Sequence, residues 1–230
     1  MTLRTAALAD DAPKDGYPFD LPAARSLPIE FSSGVTLFVG ENGTGKSTLI
    51  EAIAVAAGFN PEGGSGHIRF ETQATHSELA RHLDLTWRAA KRLRPGWFLR
   101  AESFYNVATD RDALPGPPMP SYHAMSHGES FLQVTRDWFD QPMLFVLDEP
   151  EAALSFTGQL ALITAIHEGV AAGAQFVMAT HSPLLMSIPG ARIYELDDLG
   201  GHLRSVDDLD VVLLWRSFLE SPERFLRHLA

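Results

Sequence analysis

The chain has 230 residues, a formal net charge of −11 at pH 7 and a hydrophobic fraction of 45%. This length suits one α/β domain with a sizeable core, expected over residues 1–230, and the acidic balance excludes a protein that wraps nucleic acid over its whole surface. The sequence contains no cysteine, which excludes disulfides and thiolate metal sites and fits a reducing cytoplasm. No apolar run approaches the roughly 20 residues that span a bilayer.

The first thirty residues give weak structural signals. We predict an irregular lead-in over residues 1–16 and edge strands over 17–22 and 27–31, where prolines interrupt alternating apolar residues. Tyr17 and Phe19 are two aromatic side chains that can stack on a nucleotide base, but core positions explain them equally well.

A glycine-rich loop lies between a predicted strand at 35–39 and a predicted helix at 49–57, which Gly58 ends. The loop fits the phosphate-binding pattern G-x-x-x-x-G-K-[ST], in which backbone N–H groups and the helix N-terminus surround an anion. Lys46 is predicted to reach the β- and γ-phosphates, and the Ser47 hydroxyl to coordinate Mg²⁺. The predicted nucleotide-contacting residues are Glu41, Asn42, Gly43, Thr44, Gly45, Lys46, Ser47 and Thr48. The chain therefore binds a nucleoside triphosphate.

The middle of the chain combines a helical stripe with a basic window. Leu79, Leu83 and Trp87 recur at i, i+4 and i+8, which predicts a helix over 77–91. Between Arg81 and Arg100 lie six basic residues and a single acid. A solvated helix face is one interpretation. A docking patch for an anionic partner, nucleic acid or protein, is the other.

The remaining predicted elements alternate between strands and helices, which favours a mostly parallel sheet covered by helices on both faces. Strands are predicted at 67–72, 97–100, 143–147 and 175–180, with a hairpin formed by 192–196 and 202–205. Helices are predicted at 102–114, 126–140, 158–172 and 207–219, and again from residue 222.

Two acids follow the apolar strand at 143–147. Asp148 at the end of this strand is placed to hold Mg²⁺, and Glu149 is a second carboxylate where an attacking water needs a base. A solvated turn is the alternative for an isolated Asp-Glu pair. Downstream of a phosphate loop the pair favours phosphoryl-transfer chemistry.

With these motifs the chain resembles the ABC-type ATPase superfamily of P-loop proteins between about residues 35 and 181. Residues 126–130, Ser-His-Gly-Glu-Ser, are similar to its L-S-G-G-Q signature. The resemblance implies that Ser126 and Gly128 contact the γ-phosphate held by a second subunit, so that ATP is bound between two heads. Ser126 with Glu129 also fits a helix capping box, which is the structural alternative. His181, after the next strand, resembles the switch histidine that reaches the γ-phosphate.

Glu102 occupies the place where the superfamily has a glutamine that senses Mg²⁺, and a glutamate can also coordinate this ion. The run Asp-Glu-Pro-Glu at 148–151 resembles soluble AAA/ABC-type ATPases near the RecF, SMC and OLD groups. The resemblance implies a Mg-ATP-hydrolysing head that dimerises with ATP, with a shortened helical subdomain over 103–140. The alternatives are the ATP-binding subunit of a membrane transporter and a nucleotide-gated binding module with slow hydrolysis.

Overall fold

The computed structural model describes residues 2–32, 34–61, 63–65, 78–88, 94–100 and 127–227. Its strands are β1 Leu3–Leu8, β2 Ile29–Glu30, β3 Val35–Gly40, β4 Gly64–Ser65, β5 Leu83–Trp87, β6 Arg94–Arg100, β7 Met143–Asp148, β8 Gln175–Ala179, β9 Arg192–Asp197 and β10 Gly200–Arg204. Seven of them form the main sheet in the order β10-β9-β3-β8-β7-β6-β4. The pairs from β9 to β6 are parallel, whereas β10 and β4 are antiparallel edges. The predicted mostly parallel sheet is confirmed.

The helices lie on both faces of this sheet. They are α1 Pro22–Arg25, α2 Lys46–Ala57, α3 Glu78–Arg81, α4 His127–Trp138, α5 Phe156–Ala171, α6 Pro183–Met186, α7 Asp210–Glu220 and α8 Pro222–Leu226, with 3-10 turns at Pro150–Ala153 and Val206–Asp208. As predicted, the phosphate-loop helix α2 ends at Gly58, which adopts φ +101°. Within the part of the chain described here, no helix is long and apolar enough to cross a membrane.

Strand residues alternate between two separate cores. In β3, Phe38 packs into the core that contains Leu49 and Ile53 of α2. Its neighbour Leu37 packs into the opposite core with Leu162 of α5. Because successive strand side chains point to opposite faces, both faces of the sheet are apolar, and each is covered by a helix. The predicted two-sided α/β fold is confirmed.

The N-terminal residues form a second, three-stranded antiparallel sheet in the order β2-β1-β5. The predicted irregular lead-in over 1–16 is therefore wrong for β1, which pairs with a strand about 80 residues later. Buried Gln175 joins the two sheets, accepting from the Leu3 N–H at 2.7 Å and donating to the carbonyls of Leu3 and Ser32. The predicted strand at 17–22 is also wrong, because Pro22 begins helix α1, where its missing N–H costs nothing.

The predicted helix over 77–91 is wrong at residues 82–88. Among the residues of this range that the structure describes, 78–88, only α3 is helical, and β5 follows it after one residue. The apolar spacing of i, i+4 and i+8 fits a strand as well as a helix, because every interval is even and even intervals share one strand face. Pairing with β1 decides between the two, leaving Asp84 and Thr86 exposed while Leu83 is buried.

Two predicted elements, the strand at 67–72 and the helix at 102–114, lie outside the described residues. Of the helical subdomain predicted over 103–140, the structure describes α4 and the residues that follow it.

Candidate nucleotide-binding site

Three loops meet at one edge of the main sheet. They follow β3, β7 and β8, and β8 lies between the other two strands. Because these strands are parallel, their carboxyl ends lie side by side, the usual location of ligand sites in open α/β sheets. The structure thus brings together the phosphate loop, Asp148-Glu149 and His181, as their positions after apolar strands led us to expect.

The phosphate loop has the backbone geometry that its glycines permit. Gly45 adopts φ +88° immediately before α2 begins at Lys46. Gly40, at φ +144°, lies so close to the Leu196 carbonyl that a Cβ there would collide with its oxygen. The Thr44 hydroxyl donates to the Glu41 carbonyl at 2.9 Å, which closes the loop on itself. The first N–H groups of an α-helix have no acceptor within the helix, so those at the start of α2 suit an anion held by the loop.

The Lys46 side chain is buried and turned back over the loop. The residue is only 4% exposed. Its Nζ donates to the carbonyls of Gly40 at 2.9 Å and Glu41 at 2.7 Å. Burial lowers the pKa of Lys46, while the charges of Glu149 and Asp148 act in the opposite direction. The ammonium group is thus held at the loop by acceptors with which phosphate oxygens can compete.

Asp148 lies at the end of β7, next to the first turn of α2. The Ser47 hydroxyl donates to its Oδ1 at 3.1 Å, so the two oxygens that suit a magnesium ion are adjacent. Arg100, at the end of the neighbouring strand β6, approaches Asp148 Oδ2 to 3.5 Å and pairs with Glu51 at 3.0 Å. The sequence placed Arg100 in a surface patch. Only the parallel register of β6 and β7, in which Arg100 and Asp148 are partners, shows its true position.

Burial raises the pKa of Asp148 from 3.8 to about 6, although Arg100 and Ser47 lower it. A carboxyl group with a raised pKa stabilises the fold when protonated, and this contribution is lost as the pH rises through 6. At pH 7.5 the ionised group costs about 3 kcal/mol, from 1.4 kcal/mol per pKa unit. We therefore expect Asp148→Asn to stabilise the protein, free of nucleotide and Mg²⁺, by about 2 kcal/mol at pH 7.5. This gain in the free energy of unfolding should vanish near pH 4. Urea unfolding of both proteins at several pH values measures it.

The exposed Asp140 offers a matched control for this measurement. Asp140→Asn should leave the free energy of unfolding nearly unchanged at every pH. A difference between Asp148→Asn and the native chain that stays constant from pH 7.5 to 4 would contradict the raised pKa.

Glu149 and His181 face each other at the mouth of the site. Glu149 is in the left-handed region, at φ +49°, and is alone in this among the described residues other than glycine. Its N–H donates to the Ala179 carbonyl at 3.0 Å, which ties the turn to the end of β8. Its Oε1 lies 3.4 Å from His181 Nε2. That nitrogen is buried and makes no hydrogen bond of good geometry within the described structure.

A pocket of about 280 Å³ opens over the phosphate loop. It is lined by Tyr17, Leu21, Asn42, Gly43, Gly45, Lys46, Ser47, Thr48 and Glu149. Tyr17 is 73% exposed, whereas Phe19 is buried and contacts the ring of His82. Of the two aromatic candidates, only Tyr17 therefore borders the site.

Several predicted site residues are not placed beside this pocket. Ser126 and Glu102 lie outside the described residues. Gly128 is described only as part of the backbone of α4. Glu151 was not predicted as a site residue, yet its carboxylate contacts the loop after β8. The only signal for it was its place in the Asp-Glu-Pro-Glu run.

Comparison with known proteins agrees with this geometry. A family model described as an AAA domain matches residues 19–86. The cytochrome c biogenesis ATP-binding export protein CcmA of Legionella pneumophila (strain Paris) is 26% identical over 192 residues, which cover 77% of this chain and 94% of that protein. An uncharacterized ABC transporter ATP-binding protein of Haemophilus influenzae is 24% identical, over 85% of this chain and 82% of its own length.

Two solved structures show the same fold. The SMC head domain from Thermotoga maritima aligns with a TM-score of 0.52 and 17% identity, covering 89% of this chain and 99% of that one. A nucleotide-free ATP-binding cassette from an ABC transporter aligns with a TM-score of 0.51 and 15% identity, covering 93% and 98%. The predicted fold and the predicted resemblance to ABC-type ATPases are confirmed.

Proposed function

We propose that this chain is an ABC-type P-loop ATPase that binds and hydrolyses Mg-ATP as a head-to-tail homodimer in the cytoplasm. The observation that carries the proposal is one pocket at the carboxyl edge of the sheet, which Lys46 and Glu149 line and where Ser47, also in its wall, donates to Asp148. Lys46 belongs to the phosphate loop and the two acids to the Asp-Glu pair, and together they supply a phosphate cation, a metal ligand and an acceptor for a water proton.

In this proposal the amides of the loop from Glu41 to Thr48 hold the phosphates, and Lys46 moves from the carbonyls of Gly40 and Glu41 to the β- and γ-phosphate oxygens. The adjacent oxygens of Ser47 and Asp148 fit Mg²⁺, with Glu102 as a further ligand. When bound, the ion neutralises the charge that develops on the phosphates. Tyr17, exposed beside the loop, is the residue we assign to stacking on the base.

The remaining roles concern the attacking water and the second subunit. Glu149 orients the water and accepts its proton, and His181 contacts the γ-phosphate; their side chains already lie 3.4 Å apart. Ser126 and Gly128, before and within the first turn of α4, contact the γ-phosphate of the other head. The proposed domain spans residues 1–230, with the signature carried by a small helical subdomain at 103–140. Phosphate release from ATP by the purified chain, with and without Mg²⁺, tests the proposed reaction.

A second candidate function is the ATP-binding subunit of a membrane transporter. It is favoured by the names of the sequence relatives, one of which is called an ATP-binding export protein. Against it, transport subunits usually follow the Asp-Glu pair with a sequence such as A-T-S-A-L-D, and this chain has Ser155 at the place of that aspartate. Cell fractionation separates the two candidates: recovery of the chain with membranes, and its release only by detergent, supports the transporter subunit.

We also propose that the basic window contacts an anionic partner such as DNA. Arg100 is not part of that surface, because it pairs with Glu51 and Asp148. Arg81 and Arg88 are exposed, while Lys91, Arg92 and the side chain of Arg94 lie outside the described residues. The double variant Arg81→Ala, Arg88→Ala is expected to bind duplex DNA with a weaker salt dependence. The negative slope of log K for binding against log salt concentration should become shallower by roughly 2.

Gel-shift titrations at several salt concentrations measure this slope. Lys14→Ala, which changes an exposed lysine outside the window, is the control and should leave the slope unchanged. If the native protein binds neither duplex nor single-stranded DNA at low salt, the proposal is wrong and the basic window is a solvated surface.

A further inference from the structure

Glu151 fixes the loop that carries His181. It lies in the 3-10 turn Pro150–Ala153, directly after the Asp148-Glu149 pair. Its Oε1 accepts hydrogen bonds from the Thr180 hydroxyl at 2.8 Å, the His181 N–H at 2.5 Å and the Ser182 N–H at 3.0 Å. One carboxylate oxygen thus binds three consecutive residues at the end of β8, with the histidine in the middle.

This contact is part of a larger network. The Thr180 hydroxyl also accepts from the Ser182 N–H at 3.0 Å. The Ser182 hydroxyl donates to Gln159 Oε1 at 2.5 Å, and Gln159 Nε2 donates to the Leu154 carbonyl at 3.3 Å. The loop after β8 is thereby joined to both ends of the segment that runs from Glu151 to the first turns of α5. Hydrogen bonds to a charged acceptor are stronger than those between neutral groups, so Glu151 contributes most to holding the loop after β8 in place.

The same short segment also carries Glu149. Glu149 and Glu151 are separated by one residue, and they contact different groups of His181: Glu149 Oε1 approaches the imidazole, and Glu151 Oε1 accepts from the backbone N–H. A change in the position of Glu151 therefore alters the distance between the proposed water-orienting carboxylate and the proposed switch histidine. Displacements of about 1 Å in such arrangements can cost 10²-fold in rate.

We infer that Glu151 is a positioning residue for ATP hydrolysis: it holds His181 in register with Glu149 without touching the nucleotide. The inference rests on the proposed function for its effect on turnover, but not for its effect on the loop. Glu151 Oε2 is buried without a hydrogen-bond partner among the described residues. A glutamine at this position can keep the accepting oxygen, but it must place its amide group where Oε2 finds no partner, so rescue by Glu151→Gln should be incomplete.

The first test needs no nucleotide. Amide hydrogen exchange of His181, followed by NMR, should be at least about tenfold faster in Glu151→Ala than in the native chain, because its N–H loses a charged acceptor. The Ser182 N–H keeps the Thr180 hydroxyl as an acceptor, so its exchange should increase less. Exchange in Glu151→Gln should fall between the two. Glu168→Ala, which changes an exposed glutamate of α5, should exchange like the native protein. Native exchange rates in Glu151→Ala would overturn the inference.

The second test measures turnover. We expect Glu151→Ala to lower kcat for ATP by about 10–100-fold while the KM changes little, because the residue positions groups without binding substrate. Glu151→Gln should recover part of the loss. An unchanged kcat, or a KM raised in proportion to the loss of kcat/KM, would overturn the positioning role. If Glu151→Ala does not fold, Glu151→Asp, which keeps the charge but shortens the side chain, decides both measurements.

The two tests separate the inference from the proposed function. A native chain that hydrolyses no ATP refutes the proposed function, while fast exchange in Glu151→Ala still shows that Glu151 holds the loop. An active native chain with normal turnover in Glu151→Ala leaves the ATPase intact and removes Glu151 from its mechanism.

Discussion

Glu149→Gln is expected to bind ATP, to hydrolyse it about 10²–10⁴-fold more slowly than the native chain, and to elute as a dimer in Mg-ATP. The amide cannot accept a proton from water, whereas its size and hydrogen-bonding capacity preserve the turn at φ +49°, including the N–H bond to the Ala179 carbonyl. With hydrolysis blocked, the γ-phosphate that joins the two heads persists. Single-turnover hydrolysis and size-exclusion chromatography with ATP and with ADP measure the two effects, and the ADP complex should be monomeric.

The dimer has a control within the same chain. Adding Ser126→Arg to Glu149→Gln should abolish dimerisation and spare ATP binding, because the proposed contact of Ser126 is with the nucleotide of the other subunit. The exposed Ser187 provides a matched substitution: Glu149→Gln with Ser187→Arg should still dimerise. Glu149→Gln protein that stays monomeric with saturating Mg-ATP would refute the head-to-tail arrangement and leave the nucleotide site itself untouched.

Lys46→Ala is expected to reduce ATP affinity by at least about 100-fold, because the variant loses charge-assisted hydrogen bonds to two phosphate groups. Lys46 is buried and donates to the carbonyls of Gly40 and Glu41, so the substitution also removes two contacts that shape the loop. Calorimetric titration with Mg-ATP measures the loss, and thermal unfolding of the same sample shows whether the fold is retained.

Lys14→Ala serves as the control for this substitution, since Lys14 is exposed and does not line the pocket over the phosphate loop. Its ATP affinity should equal that of the native chain. Folded Lys46→Ala protein with native ATP affinity would contradict the assignment of the phosphate loop.

The sequence predicted well wherever a local signal coincided with a buried strand. The strands at 35–39, 143–147 and 175–180 appear within one residue of their predicted bounds. They are continuous apolar runs, as expected for parallel strands buried on both faces. Lys46, Asp148 and His181 lie in or next to the segments that follow these strands, so they meet at one edge once the strands pair in parallel. The sequence did not reveal the N-terminal sheet, because β1 is held by β5, far away in the chain, and its own pattern is weak.

By itself, then, the sequence determined the phosphate loop, the acidic pair, the histidine and the strands that precede them, because each is a local pattern with its own physical signature. Tertiary structure decided what depends on neighbours distant in the chain. The sequence suggested a surface patch for Arg100, whereas the parallel register of β6 and β7 places it beside Asp148. Burial distinguished the two aromatic candidates, because Phe19 is buried and Tyr17 is exposed. Burial also raised the pKa of Asp148. The approach of β7 and β8 brought Glu151 onto the His181 loop, since side-chain hydrogen bonds across the sheet edge depend on strand pairing and leave no periodic trace in the sequence.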